Sequence, residues 1–280
     1  MSLSEDLKAF ALGDLDMDYV GISSVERLSE APEGYRPTDL LPGAKSIVVM
    51  AVRLLEGAVQ AIFRAHEDGL RHALCIYGSH GYVLTPNLSL NFAGYRMARF
   101  LEKMGFIATP LPSGPGGGGV PFSHRHAAVA AGLGELGWSG LLITPDYGPR
   151  VRLVSVITKA DIEPDPLYQG PRLCDPVSCG VCVATCPMGA LGTEQTNTVV
   201  IGGKLYEYGV TNIIKCFAGI EGLTKKTLGF KDLPIPENPT WDDIDKAREQ
   251  IDPRQTREAI LINRPTYYCG KCLAYCPAGR

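Results

Sequence analysis

No run of apolar residues in this chain is long enough to span a bilayer, which excludes a protein built on membrane-crossing helices. The opening residues, Met1-Ser-Leu-Ser-Glu-Asp-Leu-Lys8, lack the basic-then-apolar order of an export signal and contain no twin-arginine pair. A cytoplasmic location with no membrane partner is expected. Positive charge is not in excess: 27 Lys and Arg face 30 Asp and Glu, for a formal net charge of -3. Nucleic-acid binding gets no electrostatic support from that balance, so no nucleic-acid partner is expected. Charged residues are 20% and apolar residues 45%, which sets aside disordered and fibrous classes. The 280 residues suffice for one large domain or two ordinary ones.

Cysteine, by contrast, is plentiful and unevenly placed. Eight of the nine fall between 174 and 276. Cys75 stands alone in an apolar stretch and reads as a buried small hydrophobe. In a reducing cytoplasm disulfides are not expected. One run is Cys174-x4-Cys179-x2-Cys182-x3-Cys186-Pro187, and a second is Cys269-x2-Cys272-x3-Cys276-Pro277. Paired Cys-x2-Cys units suit zinc or iron–sulfur sites. A third cysteine at x3 followed by proline is the iron–sulfur pattern, and the Cys before Pro ligates the other of two clusters. Seven cysteines lie in the runs and Cys216 supplies the eighth. The expected ligand sets are Cys174, Cys179, Cys182 and Cys276 for one [4Fe-4S] cluster, and Cys186, Cys216, Cys269 and Cys272 for the other. Two clusters in series read as a wire, and a wire needs an acceptor.

The rest of the chain divides near residue 165, where Asp161-Ile-Glu-Pro-Asp-Pro166 reads as a linker. Before it, helices are expected over 3–12 (capped by Ser4), 55–75, 87–104 (capped by Asn87) and 124–136, with strands at 18–23, 45–52, 106–111, 141–144 and 151–158. Glu30 to Pro42 reads as a loop. The run Lys45–Val52 is apolar enough for a strand covered on both faces. Leu90, Ala93, Met97, Phe100, Leu101 and Met104 recur at helical spacing, and the methionines read as core. Beyond 165, short helices and long loops are expected, with a helix over Trp241–Gln250 capped by Thr240. Gly114-Pro-Gly-Gly-Gly-Gly119 lacks the ending of a phosphate loop and does not match the dinucleotide fingerprint. It reads either as a tight connection or as backbone passing close to a cofactor, with Gly116, Gly117 and Gly118 as the candidate contacts.

The cysteine layout resembles that of epoxyqueuosine reductases and corrinoid reductive dehalogenases. The stretch from Ala130 to Arg152 (AAGLGELGWSGLLITPDYGPRVR) is similar to the segment preceding the clusters in reductive dehalogenases. Ala31 to Ser46 (APEGYRPTDLLPGAKS) and Leu101-Glu-Lys-Met-Gly105 resemble the shorter epoxyqueuosine-reductase-like proteins. The resemblance implies an α+β protein: a nitroreductase-like α/β domain over 1–165, holding a cofactor or substrate, then a ferredoxin-like domain over 166–280 with two [4Fe-4S] clusters. It also implies reductive chemistry, a corrinoid (cobalamin) as candidate cofactor, an electron donor such as a ferredoxin or flavodoxin, and a small-molecule substrate. Epoxyqueuosine reductases carry an acid, expected as Asp, shortly before the segment aligned with Pro121–Arg125; here that place falls near Gly118. The tRNA-holding domain beyond the clusters is expected to be absent, since the sequence stops at Arg280. Other readings are an electron-transfer protein with a docking module, and a protein that handles a corrinoid or flavin.

A pocket is expected between the glycine loop, the 124–138 segment and Tyr77–Asn87. The catalytic candidates are Tyr77, His80, His124 and Arg125; Tyr82, nearby in the loop, is of the same kind. Tyrosine could give a proton to a developing anion, and histidine could do so near neutral pH. Arg125 could clamp a carboxylate or phosphate, or could be a surface ion pair. His124 and His126 should point to different faces of one helix. Arg150 and Arg152 at a strand start could be satisfied by neighbouring acids, and Glu135 and Trp138 could pack between domains.

Overall fold

The apolar run at Ile47–Ala51 is fully buried and lies at the centre of a sheet with helices on both faces. The computed structural model describes residues 2–82, 84–114, 121–229, 232–250 and 269–280. Its elements begin with α1 (Leu3–Ala9), β1 (Tyr19–Ser24), α2 (Pro37–Leu40), β2 (Ser46–Arg53), α3 (Glu56–Glu67), α4 (Leu74–Ile76) and α5 (Thr85–Lys103). They continue with β3 (Ala108–Pro110), α6 (His124–Ala130), β4 (Glu135–Leu136), β5 (Leu142–Ile143) and β6 (Val151–Thr158). The second part holds α7 (Val181–Ala184), β7 (Leu191–Ile201), β8 (Lys204–Thr211), α8 (Ile213–Ile220), α9 (Trp241–Glu249) and α10 (Lys271–Ala274). The fold is mixed α/β. Among the described residues, no helix is long and apolar enough to cross a membrane.

The main sheet has the order β1-β2-β6-β3, with each pair antiparallel. Val49 of β2 lies between Gly21 of β1 and Ser155 of β6. The two-residue period of a strand sorts β2 between two cores. Ile47, Val49 and Ala51 join Ala127–Ala131 of the α6 region. Val48 and Met50 join Leu90, Ala93, Met97 and Leu101 of α5 and Leu7 of α1. Each fully buried Leu, Ile or Met contributes ~1.5–3 kcal/mol relative to exposure. Gly21 has no room for a side chain: a Cβ there would stand 2.5 Å from the Ala131 carbonyl oxygen, so β1 and α6 touch backbone to backbone.

The chain crosses position 165 under restraint. The Asp165 carboxylate accepts from the Ile22 N–H at 2.8 Å and pairs with Lys8. Ile201 and Tyr206, from the β7–β8 hairpin, complete the core on the α6 side of the main sheet.

Several boundaries differ from the sequence expectation. The cap of α1 is Ser2, in a capping box with Glu5, because Ser4 already lies inside the first turn. The 55–75 helix stops at Glu67, where Asp68 and Gly69 (φ +71) break it. Pro37–Leu40 forms a helical turn inside the expected loop. α5 starts at Thr85, with Pro86 in the first turn, where its missing N–H costs nothing. Asn87 is therefore not a cap; its side chain turns inward. The 124–136 helix ends at Ala130, because Gly132 (φ +77) turns the chain against the Pro166 carbonyl and Glu135–Leu136 go on as a strand. The β7–β8 hairpin was not expected. Its signal is Gly202-Gly203, both at positive φ (+58 and +77), between Val-Val-Ile and Lys-Leu-Tyr.

Candidate functional site

The two cysteine runs fold alike. In each, a glycine in left-handed conformation follows the first Cys of the Cys-x2-Cys pair: Gly180 (φ 60, ψ 0) and Gly270 (φ 57, ψ 4). Each opens a four-residue helix, α7 and α10, that carries the second Cys. The reversal turns backbone N–H groups toward sulfur. Val183 N–H lies against Cys182 and Lys271 N–H against Cys269. Trp138 N–H donates to Cys174 Sγ at 3.3 Å, and Ala190 N–H to Cys186 Sγ at 3.2 Å.

Electrostatic neighbourhood sorts the thiols into two groups. Cys182 is raised to about 11 by burial, then by Cys174 and Cys276, with Cys179 also near. Cys216 is pushed up to about 11 by burial, then by Cys269 and Cys186. Burial pushes Cys272 up furthest, followed by the influence of Cys269, Cys216, Cys186 and Cys182. Cys182 and Cys272 thus link one group to the other. Cys179 is exposed and the other seven are half-buried. Among the described residues, no three Cys, His, Asp or Glu side chains converge closely enough to hold one metal ion.

The C-terminus is held by a clasp. The Arg150 guanidinium, 6% exposed, donates to the carbonyls of Cys276 (2.9 Å), Ala278 (2.5 Å) and Gly279 (2.7 Å). Carbonyl oxygens therefore satisfy it, where sequence reasoning looked for neighbouring acids.

Cys186, Cys216, Cys269 and Cys272 line one cavity of about 420 Å³. Its walls are largely apolar, from Phe122, Leu141, Leu142, Leu153, Ile220 and Leu273. Tyr77, Tyr82, His124, Arg125 and Arg152 also line it. Tyr77 is fully buried, and its hydroxyl has no hydrogen-bond partner among the described residues. Burial raises its pKa well above that of an ordinary phenol. Tyr82 is also raised by burial, while Arg152, stacked 4.7 Å from its ring centre, pulls the other way. Arg152 donates to Asn87 Oδ1 at 3.1 and 3.2 Å, and Ser113 Oγ shares that oxygen at 3.2 Å.

The four catalytic candidates fare differently. Tyr77, His124 and Arg125 line the cavity; His80 does not, and its Nδ1 lies 3.0 Å from Thr85 Oγ1. His124 is engaged at both ring nitrogens, Nδ1 with Ser155 Oγ (2.9 Å) and Nε2 with the Pro112 carbonyl (3.0 Å). The carbonyl needs Nε2–H, so neutral His124 accepts at Nδ1. Burial lowers its pKa and favours that neutral form. Arg125 donates to the Gly140 carbonyl. Gly116, Gly117 and Gly118 lie outside the described residues. Sequence reasoning missed Asn87 and Ser113. Asn87 was read as a cap because Pro86 precedes it, and no local pattern marks Ser113.

No protein-family model matches the chain. A tetrachloroethene reductive dehalogenase of Desulfitobacterium hafniense is 40% identical over 108 residues, which is 38% of this chain and 18% of that protein. An epoxyqueuosine reductase of Listeria monocytogenes is 45% identical over 64 residues, 23% of this chain and 16% of the relative. These matches span less than a fifth of either relative. Among solved structures, the Bacillus subtilis epoxyqueuosine reductase matches with TM-score 0.57 and 22% identity, over 99% of this chain and 65% of its own. A structure described as suggesting a mechanism for B12-dependent dehalogenation matches with TM-score 0.52 and 20% identity, over 97% of this chain and 37% of its own. The structural likeness shows the fold, and the sequence matches show that stretches of 108 and 64 residues of this chain are similar to a reductive dehalogenase and to an epoxyqueuosine reductase.

Proposed function

We propose that this protein is an iron–sulfur reductase with two [4Fe-4S] clusters, in which electrons reach a small organic acceptor in the cavity. The observation that carries this reading is that Cys186, Cys216, Cys269 and Cys272 line the same cavity as Tyr77 and Arg125. The donor sets fit clusters. They are all thiol, and each collects backbone N–H donors to sulfur. Cys174, Cys179, Cys182 and Cys276 would hold the outer cluster, and the four cavity cysteines the inner one. When bound, the clusters would supply one-electron carriers.

The chain's own residues do the rest. The N-terminal α/β part, nitroreductase-like in our reading, walls the cavity with apolar side chains that limit water. Tyr77 keeps its proton, because burial opposes the phenolate, and offers it where negative charge develops on carbon. Two electrons and one proton convert a carbon–halogen bond to carbon–hydrogen and release halide. Two electrons and two protons convert an epoxide to an alkene and water. The relatives' names cover both reactions.

A cavity of about 420 Å³ falls within the ~300–1,000 Å³ that holds drug-sized ligands. The volume supports a small organic acceptor, and no step here uses cobalt. The test is anaerobic reconstitution, reduction with dithionite and removal of excess reductant, followed in separate runs by a brominated phenol, an aryl epoxide and hydroxocobalamin. The reading expects the cluster absorbance to return with one of the small organics, and a Cys272→Ser variant to lose that response. Return with hydroxocobalamin alone, or with none of the three, would overturn it.

A further inference from the structure

Of the four cysteines in the outer set, Cys174 lies outside both glycine-led turns. It stands five residues ahead of Cys179, before the left-handed turn at Gly180 that sets Cys179 and Cys182 around α7. Its neighbours Arg172 and Asp175 are exposed. Cys186 draws its N–H donor, Ala190, from its own loop four residues on. Cys174 draws its donor, Trp138, from 36 residues back, in the turn between β4 and β5. The same stretch grips the segment a second time: the Leu173 N–H donates to Glu135 Oε2 at 3.1 Å. Glu135 is half-buried, and its other oxygen pairs with Lys204 of β8 at 3.3 Å. A carboxylate accepting a backbone N–H makes a charge-assisted bond, stronger than a neutral one.

The turn is itself braced by the β7–β8 hairpin. The Trp138 indole N–H donates to the Gly192 carbonyl at 3.0 Å, and the Trp138 carbonyl accepts from the Gly209 N–H at 2.9 Å. Only glycine fits at 209, since a Cβ there would stand 2.7 Å from the indole nitrogen. With its ring and its carbonyl both tied, Trp138 presents its backbone N–H in one direction. Cys174 has to be brought to that donor, and the Glu135 bond to Leu173, one residue away, is the contact that brings it.

We propose that Glu135 is a positioning residue for the outer cluster: its carboxylate holds Leu173 so that the Cys174 thiol meets the Trp138 N–H. This deepens the reductase reading and takes from it only that Cys174 is a cluster ligand. The test is the rate of iodoacetamide alkylation at each cysteine, mapped by peptide mass spectrometry on anaerobically purified protein. Glu135→Ala should alkylate at Cys174 about 10-fold faster than wild type, the change in local opening expected when such a bond is lost. Cys186, Cys216, Cys269 and Cys272 should keep their wild-type rates. Glu135→Gln should stay close to wild type, because its amide oxygen still accepts from Leu173. Gly209→Ala should repeat the selective rise at Cys174 by displacing Trp138, and it carries the test if Glu135→Ala fails to fold. An unchanged Cys174 rate, a rise shared by the four inner cysteines, or a glutamine variant as reactive as the alanine one would overturn the proposal. Iron assayed on the wild type separates the two ideas. Absent iron defeats the reductase reading, whereas the ratio of Cys174 rates between variant and wild type decides this one, since the Glu135 and Trp138 contacts are made to the chain and the thiol themselves.

Discussion

The guanidinium of Arg150, the residue before β6, donates to the backbone carbonyl of Cys276 at 2.9 Å, joining residues 126 positions apart. The contact ties the strand beside the cavity to the cysteine expected to cross between the two ligand sets. Gly148 and Gly279 close the same joint, since a Cβ on either would stand about 2 Å from opposing backbone. Replacing Arg150 by Gln should cost ~3 kcal/mol of stability through lost charge-assisted bonds. It should also lower bound iron toward half, as Cys276 loses its position, while Cys186, Cys216, Cys269 and Cys272 stay in place. Iron per chain, read beside the urea midpoint, checks both effects.

Gly180 and Gly270 make a matched pair. Both take left-handed backbone at the same step of the motif, so alanine should cost ~1–2 kcal/mol at either site from conformation alone. At Gly180 nothing lies within 4 Å of an added Cβ, but at Gly270 it would meet the Tyr77 hydroxyl at 2.5 Å. Gly270→Ala should therefore lower the thermal midpoint clearly more than Gly180→Ala. Equal losses would show that Tyr77 yields without cost.

Tyr77→Phe should separate stability from turnover. The hydroxyl is buried without a partner among the described residues, so its removal should leave the ligand-free protein as stable or ~1 kcal/mol more stable. Turnover should fall ~100-fold if that hydroxyl gives the proton. A lower thermal midpoint in the phenylalanine variant would mean that the hydroxyl is satisfied in solution.

Acid should weaken the fold through His126. Burial first, and Arg125 second, lower its pKa from 6.5 to about 4. The unfolded chain therefore takes up a proton below pH 6.5 that the folded chain refuses until about pH 4. Stability is flat above that window and falls as pH drops through it. The full shift would be worth about 3 kcal/mol, and the side chain's partial exposure reduces this to ~1–2 kcal/mol. Urea midpoints at pH 7 and pH 5 should differ in the wild type and differ less in His126→Gln.

How much of this was legible in the sequence depended on whether the signal was local. Ile47–Ala51 read correctly as a doubly covered strand because burial on both faces leaves an unbroken apolar run. Four of the expected ligands, Cys186, Cys216, Cys269 and Cys272, line one cavity, and spacing alone could not place Cys216 beside the others. Asn87 misled, because Pro86-Asn87 looks like a helix start while the partners of its side chain, Arg152 and Ser113, lie 65 and 26 residues away. The hairpin over 191–211 was overlooked although Gly202-Gly203 announces it, since the strand before it is mostly exposed and shows no apolar alternation. Arg150 illustrates the same limit: no neighbouring residue reveals that its partners are carbonyls at the far end of the chain.

The central claim is that the eight clustered cysteines hold two four-iron clusters. Iron and acid-labile sulfide per chain, measured on anaerobically purified protein together with its visible spectrum, test it most directly. About eight of each, with a brown chromophore that bleaches on reduction, is the expected result. A colourless protein carrying two zinc ions would contradict it.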